Sequence, residues 1–248
     1  MANWNEPRRT EQGLGYNPGR DGALAGRYTV DAGLRRHMLS IYNYMASGVL
    51  LTGIVALLTA NSGLVYTIMS GPLAWIVMLS PLAIVFAMSF GANRFSTTTL
   101  QAMFWGFAVL MGLSLSTIFL VYTGASIATT FFATAGAFAG LSLFGYTTQR
   151  DLSAFGTFLI MGVIGLLIAS VINLFVQSTA LMWAISFLGV LIFAGLTAYD
   201  TQKLKEQYYY VGGTEFAGKA IVLGALTLYL DFINMFMFLL RFMGSSRD

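Results

Sequence analysis

Residues 154–176 read AFGTFLIMGVIGLLIASVINLFV, without one charged side chain. At about 1.5 Å of rise per residue such a run forms a helix of about 34 Å, enough to cross the roughly 30 Å hydrocarbon core of a bilayer. Lipid offers no partner for an unpaired N–H or C=O, so the run is expected to be helical. A strand of a membrane barrel would instead alternate over about ten residues. The flanks fit a span: Gln149-Arg150-Asp151 precedes it and Gln177-Ser178 follows it.

Working outward, the same pattern repeats. From Met38 to Thr201 the charged residues are Arg94, Arg150, Asp151 and Asp200. Turn residues divide the chain at Asn61-Ser62-Gly63, Ser70-Gly71-Pro72, Gly91-Ala92-Asn93, Thr123-Gly124 and Gly212-Gly213. The spans are expected near 39–60, 73–93, 99–122, 126–147, 154–176, 180–201 and 219–243. The fold class is therefore all-α, a multi-pass membrane protein with seven transmembrane helices. Residues 1–30 read as a flexible polar tail, 31–243 as the membrane domain and 244–248 as a short C-terminal tail. Asp31 is placed to cap the first helix.

Composition excludes several classes. Of 248 residues 57% are hydrophobic, 15% aromatic and 9% charged, against roughly 25% charged in a soluble domain. A water-soluble enzyme, a disordered chain and a nucleic-acid binder are ruled out. Cysteine is absent, which removes disulfides, thiolate metal sites and cysteine nucleophiles. The single histidine, His37, excludes sites that need two imidazoles. Flanked by Arg35 and Arg36, it reads as a juxtamembrane surface residue.

Charge sets the expected orientation. The first 37 residues carry six arginines, the loop after the second span Arg94, the loop after the fourth Arg150, and the loop after the sixth Lys203, Lys205 and Lys219. The loops after spans 1, 3 and 5 carry no Lys or Arg. The positive-inside rule then puts the N-terminus in the cytoplasm. Arg241 and Arg247 near the C-terminus conflict with this alternation and leave open whether the last helix crosses fully or re-enters. Small residues allow close helix approach in lipid: Gly136 with Gly140 form one such pair, and Gly112, Ser114 and Ser116 line part of the third span.

Two ionisable residues stand out. Asp231 lies in Leu228-Tyr229-Leu230-Asp231-Phe232-Ile233-Asn234, and Asp200 in Leu196-Thr197-Ala198-Tyr199-Asp200-Thr201-Gln202. A carboxylate at mid-span costs roughly 2.5–3.5 kcal/mol on insertion scales, so a compensating partner, water or proton is expected. Spans 6 and 7 are antiparallel about the Gly212-Gly213 turn, which brings the two aspartates toward similar heights. On hydropathy Asp231 lies deeper by up to about three turns. Two carboxylates in low dielectric cannot both be charged cheaply and titrate as a pair. The pair can share a proton, bind a cation or take a basic partner, for which Arg94 at the same side is the candidate. Arg150 and Asp151 read as a solvated loop pair. Asn173 and Asn234 are candidates to line a polar path, with Asn234 on the face of Asp231.

The run Gly224-Ala225-Leu226-Thr227-Leu228-Tyr229-Leu230-Asp231-Phe232-Ile233-Asn234-Met235-Phe236, followed by Leu239-Leu240-Arg241, closely resembles the C-terminal signature of the Bax inhibitor family, including its bacterial members. Tyr199-Asp200-Thr201-Gln202-Lys203 is similar to that family's sixth-helix motif, Gly112-Leu113-Ser114-Leu115-Ser116 to its third-helix motif, and Asn173-Leu174-Phe175 also has a counterpart. The resemblance spans about residues 31–242. It implies a last helix at the centre, wrapped by two three-helix layers, and a pH-sensitive calcium leak. It further implies that Asp200 and Asp231 share a proton and gate the pore, with Arg94 as the closing partner. Ca²⁺ would be held weakly and transiently by the two aspartates as the transported ion, with no cofactor. The expected surroundings are the lipid bilayer of a bacterial inner membrane, with Ca²⁺ and protons as partners and no nucleic acid.

Three other readings compete. An intramembrane aspartyl protease also places an aspartate on each of two helices, but Leu-Tyr-Leu precedes Asp231 where those enzymes show Gly-x-Gly. A regulatory protein acting by contact with other membrane proteins, such as a membrane protease, is the second. A proton-coupled transporter is the third.

Overall fold

The computed structural model describes residues 18–247, with side chains described from residue 32 onward. Most of the sequence-inferred N-terminal tail therefore lies outside the described residues. The helices are α1 (Pro18–Asn61), α2 (Leu64–Met69), α3 (Leu73–Gly91), α4 (Thr97–Leu115), α5 (Ile118–Val121), α6 (Gly124–Thr147), α7 (Ser153–Val176), α8 (Thr179–Val211) and α9 (Ala217–Met243). Among the described residues, seven segments are long and apolar enough to cross a membrane: α1 from Ala32, α3, α4 with α5, α6, α7, α8 and α9.

Local chemistry explains the boundaries. The hydroxyls of Ser96, Thr123 and Ser178 accept from the backbone N–H of Thr99, Ser126 and Leu181, capping α4, α6 and α8. The third span breaks where Ser116 Oγ donates to Leu113 O at 2.6 Å and Thr117 Oγ1 to Ser114 O at 3.2 Å. These hydroxyls satisfy carbonyls that the interrupted helix leaves free. Two boundaries differ from the sequence expectation. α1 begins at Pro18 rather than near residue 31; proline suits a first helical position because its missing N–H has no role there. Asp31 is thus inside α1, not its cap. α8 continues ten residues beyond the apolar run, to Val211. Helix formers such as Lys203, Leu204, Lys205, Glu206 and Gln207 carry it past the segment that hydropathy recognises.

The helix α9 is the most enclosed. In its most apolar window 61% of residues are buried, against 11–33% in the other spans. It packs on α8, α1, α6 and α4. α1, α3 and α4 pack in one group, and α6, α7 and α8 in another. Tyr229 is fully buried, and Phe104 and Phe107 meet its ring edge-on at 6.2 and 4.9 Å. Its hydroxyl bonds Thr52 Oγ1 at 2.7 Å, and Thr52 donates on to Ala108 O at 2.8 Å. One polar chain therefore ties α9, α1 and α4.

α9 runs the full height of the bundle. Beyond Met243 the chain folds onto the α5–α6 turn: Thr123 N donates to Ser245 O, Arg247 N to Val121 O and Ser245 N to Ser126 Oγ. The C-terminal residues thus lie at the opposite end from the Gly212–Gly213 turn, which excludes a re-entrant last helix.

His37 is buried at 6% exposure, its ring 5.3 Å from that of Tyr208. The expected surface position is corrected: the extension of α8 past the apolar run carries Tyr208 over it. Glycine roles are also redistributed. A Cβ at Gly136 or Gly140 would meet nothing within 4 Å, whereas one at Gly145 would strike the backbone carbonyl of Ala198. Close packing of α6 on α8 therefore depends on Gly145. Gly145→Val should lower the thermal midpoint in detergent by about 5 °C, since overpacking costs roughly 1–3 kcal/mol. Gly136→Val should leave it within about 1 °C, as an open surface change.

Candidate functional site

Asp200 and Asp231 come together. Asp200 lies 11 residues before the end of α8 and Asp231 lies 14 after the start of α9. At about 1.5 Å per residue both stand about 17–21 Å from the glycine turn, so the offset is about one helical turn. The three-turn mismatch read from hydropathy shrinks because α8 extends beyond the apolar segment. The two carboxyl groups are within hydrogen-bonding reach of each other. Ionised carboxylates only accept, so a hydrogen bond between the two would need a proton on one of them.

Their surroundings differ. Asp231 is buried at 4% exposure, and no donor among the described residues reaches its Oδ2. Asp200 is half-buried and lines a cavity of about 420 Å³ with Lys203, Glu206, Gln207, Tyr210 and Thr227. The cavity opens between α8 and α9 at the glycine-turn end, and Asp231 is not part of its wall. Asp200 thus borders this vestibule, and Asp231 is buried away from its wall. Its charged neighbour is Lys203, one turn on along α8. Among the described residues no three His, Cys, Asp or Glu side chains gather closely enough to hold a metal ion.

The other sequence candidates are placed elsewhere. Arg94 is exposed on the α3–α4 turn and is not among the charged groups acting on either aspartate. Lys219 of α9 holds this turn, its Nζ donating to Ala92 O at 3.2 Å. Asn234 is half-buried one turn beyond Asp231, and its Nδ2 donates to Leu230 O at 2.8 Å. Asn173 is not brought to the pair. It sits in the last turn of α7, where Oδ1 accepts from Ser178 N at 3.0 Å and stabilises the tight α7–α8 connection, with Gln177 in the left-handed region at φ 52°. Asp151 is exposed, and the Ser153 side chain together with the Ser153 backbone N–H, which donates to it at 2.8 Å, holds its carboxyl below the ordinary carboxylate range.

Several residues near the pair escaped the sequence reading. Gln202, two positions after Asp200, accepts from Leu152 N at 2.9 Å and donates to Arg150 O at 2.8 Å. Lys205 Nζ donates to Tyr146 O at 2.8 Å. Together they clasp the α6–α7 loop onto α8. Thr201 bonds Ser142 at 2.9 Å, and Ser142 bonds Tyr42 at 2.5 Å, linking α8, α6 and α1. The partners here are mostly backbone carbonyls and hydroxyls, which leave no spacing signature in a single sequence.

Among the described residues, seven membrane-length helices, the last of them the most enclosed and carrying one of two facing carboxyls, define a helical multi-pass membrane protein. The chain belongs to the Bax inhibitor family: the family model described as Inhibitor of apoptosis-promoting Bax1 matches residues 34–248. It is 46% identical over 220 residues to the inner membrane protein YbhL of Escherichia coli, covering 87% of this chain and 94% of that protein. It is 48% identical over 221 residues to the protein RP147 of Rickettsia prowazekii, covering 89% and 94%. A protein of Caulobacter vibrioides is 47% identical over 232 residues, covering 89% and 92%.

The Gln202 clasp is testable by hydrogen exchange. Two hydrogen bonds of about 1 kcal/mol each hold the loop. Gln202→Ala should therefore speed exchange of the Leu152 amide by roughly 10–30-fold, while amides in the centre of α9 stay protected.

Proposed function

We propose that this protein is a pH-sensitive calcium leak of a bacterial inner membrane, with Asp200 and Asp231 as the proton-sharing gate. The observation that carries the reading is the meeting of the two carboxyls, one bordering the vestibule and the other sealed behind it. With a proton between them the pair presents at most one negative charge. Loss of that proton sets two like charges against each other in a low-dielectric seam and favours separation of α8 from α9. The exposed carboxylates then attract Ca²⁺, a hard cation that prefers oxygen ligands. Two carboxylates bind it weakly and transiently, as conduction requires. No cofactor enters this scheme, and it involves no enzymatic chemistry.

Membrane and orientation are part of the proposal. The name of the Escherichia coli relative, an inner membrane protein, supports that location. The distribution of arginine and lysine supports a cytoplasmic N-terminus, which makes the vestibule at the glycine turn cytoplasmic. Arg94 stands at that same end. To pair with the aspartates it needs a shift of the α3–α4 turn, which the Lys219–Ala92 bond holds in its present place.

Calcium efflux from sealed proteoliposomes between pH 5 and 8 tests the reading. The wild type should leak in a pH-dependent way. Asp200→Asn and Asp231→Asn should each shrink the flux ratio between the pH limits by about 5-fold or more, the lower end of a coupling of roughly 1–3 kcal/mol. Arg94→Ala should raise the leak of the closed state. Absence of efflux at every pH from folded, reconstituted protein overturns the channel reading and directs attention to contacts with other membrane proteins.

A further inference from the structure

The side of α9 next to the aspartate pair borders a second cavity. α1 and α6 both pack on α9 but scarcely on each other, and between them lies a cleft of about 610 Å³. Its walls are graded along its length. Arg35 stands at one end, Tyr42 and Ser142 follow, and Met45, Val49 and Phe131 line the deep part. Phe232 lies in its wall, edge-on to Phe131 and Phe138 at 5.6 Å each. A shallower cavity of about 440 Å³ shares Arg35 and Leu39 with the cleft and adds Arg36, Ser40 and Asn43. Both arginines are exposed.

From Arg35 to Val49 the cleft follows 15 residues of α1, a rise of about 21 Å. That matches one leaflet of a bilayer with its head-group region, half of about 40–45 Å. The polarity runs the same way: two guanidiniums and small polar groups at the interface, then two hydroxyls, then hydrocarbon and aromatic rings. Guanidinium groups suit phosphate, which they can bind in a bidentate geometry. A neutral lipid tail alone would leave this basic mouth unmatched.

We infer that the α1–α6 cleft is a binding site for an anionic phospholipid of the surrounding leaflet, one acyl chain lying between α1 and α6 and the head-group phosphate on Arg35 and Arg36. The site is independent of the calcium reading, since it requires only the cleft and its basic mouth.

Photo-crosslinking tests it. The full-length protein is placed in phosphatidylethanolamine nanodiscs containing a trace of phosphatidylglycerol with a photoreactive acyl chain, or of the matched phosphatidylethanolamine probe. Adducts from the phosphatidylglycerol probe should map to the peptides bearing Met38, Met45 and Phe131, and should exceed those from the neutral probe. Arg35→Gln should lower them about fivefold, the effect of removing one basic residue near an anionic head group. Ala139→Phe and Ala46→Phe, from opposite walls, should each fill the cleft and abolish the adducts; either suffices if the other fails to fold. Equal labelling by both probes with no effect of Arg35→Gln overturns the proposal, as does undiminished labelling of a folded cleft-filling variant. Adducts spread evenly around the bundle would mean ordinary boundary lipid and overturn it too.

Discussion

A carboxyl on the most enclosed helix of a membrane bundle has no solvent to turn to. Asp231 is buried, and its Oδ2 finds no donor among the described residues. On the proposed reading its offset comes from the neighbouring carboxyl and a shared proton, because an unpaired charge in that seam costs free energy. The surrounding architecture sets the relative height of the two aspartates. α8 has to run on to Val211 and α9 has to start at Ala217 for a short glycine turn to set them about one helical turn apart. The Gln202 and Lys205 clasps then fasten the extended part of α8 to the α6–α7 loop and the end of α6. Lys219 fastens the start of α9 to the α3–α4 turn.

The rest of α9 is anchored by apolar packing with few polar ties. Thr52 is the exception: its hydroxyl links Tyr229 to the Ala108 carbonyl, joining three helices at one point. Around it, Phe104 and Phe107 close on the Tyr229 ring. In lipid the hydrophobic effect does little to favour helix–helix over helix–lipid contact, so shape and such hydrogen bonds decide the partners. That explains why a glycine facing a carbonyl, Gly145 on Ala198, matters while the glycines at 136 and 140 face open space. Small residues mark both situations alike in a sequence, and only the rotation of α6 separates them.

The fold was legible because charge is so scarce: each apolar run between polar breaks became a helix, and the aspartate pair stood out as ionisable groups with apolar neighbours. What escaped notice shares one cause. Hydropathy sees a helix only while it is in lipid, so the polar turns of α8 after Thr201 were invisible. With them went the cover that Tyr208 gives His37 and the true height of Asp200. Asn173 was a candidate for a polar path for the opposite reason, an apolar run that continues to within a few residues of a turn. Lys219, Gln202 and Lys205 act on backbone carbonyls and amides, which every residue has, so no motif betrays their partners.

Asp231 and Phe232 are consecutive on α9, about 100° apart around its axis. One faces the Asp200 seam, and the other borders the α1–α6 cleft between Phe131 and Phe138. α9 is a rigid rod across this pair of positions, so a rotation or slide that parts the carboxyls must also press or withdraw Phe232 in the cleft. Whatever fills the cleft resists one direction of that motion by excluded volume. Conversely, on the proposed gating a second charge in the seam would drive a displacement that the cleft has to accommodate. On the proposed gating, the cleft beside α9 and the charge within its seam are linked through the position of Phe232 between its aromatic neighbours.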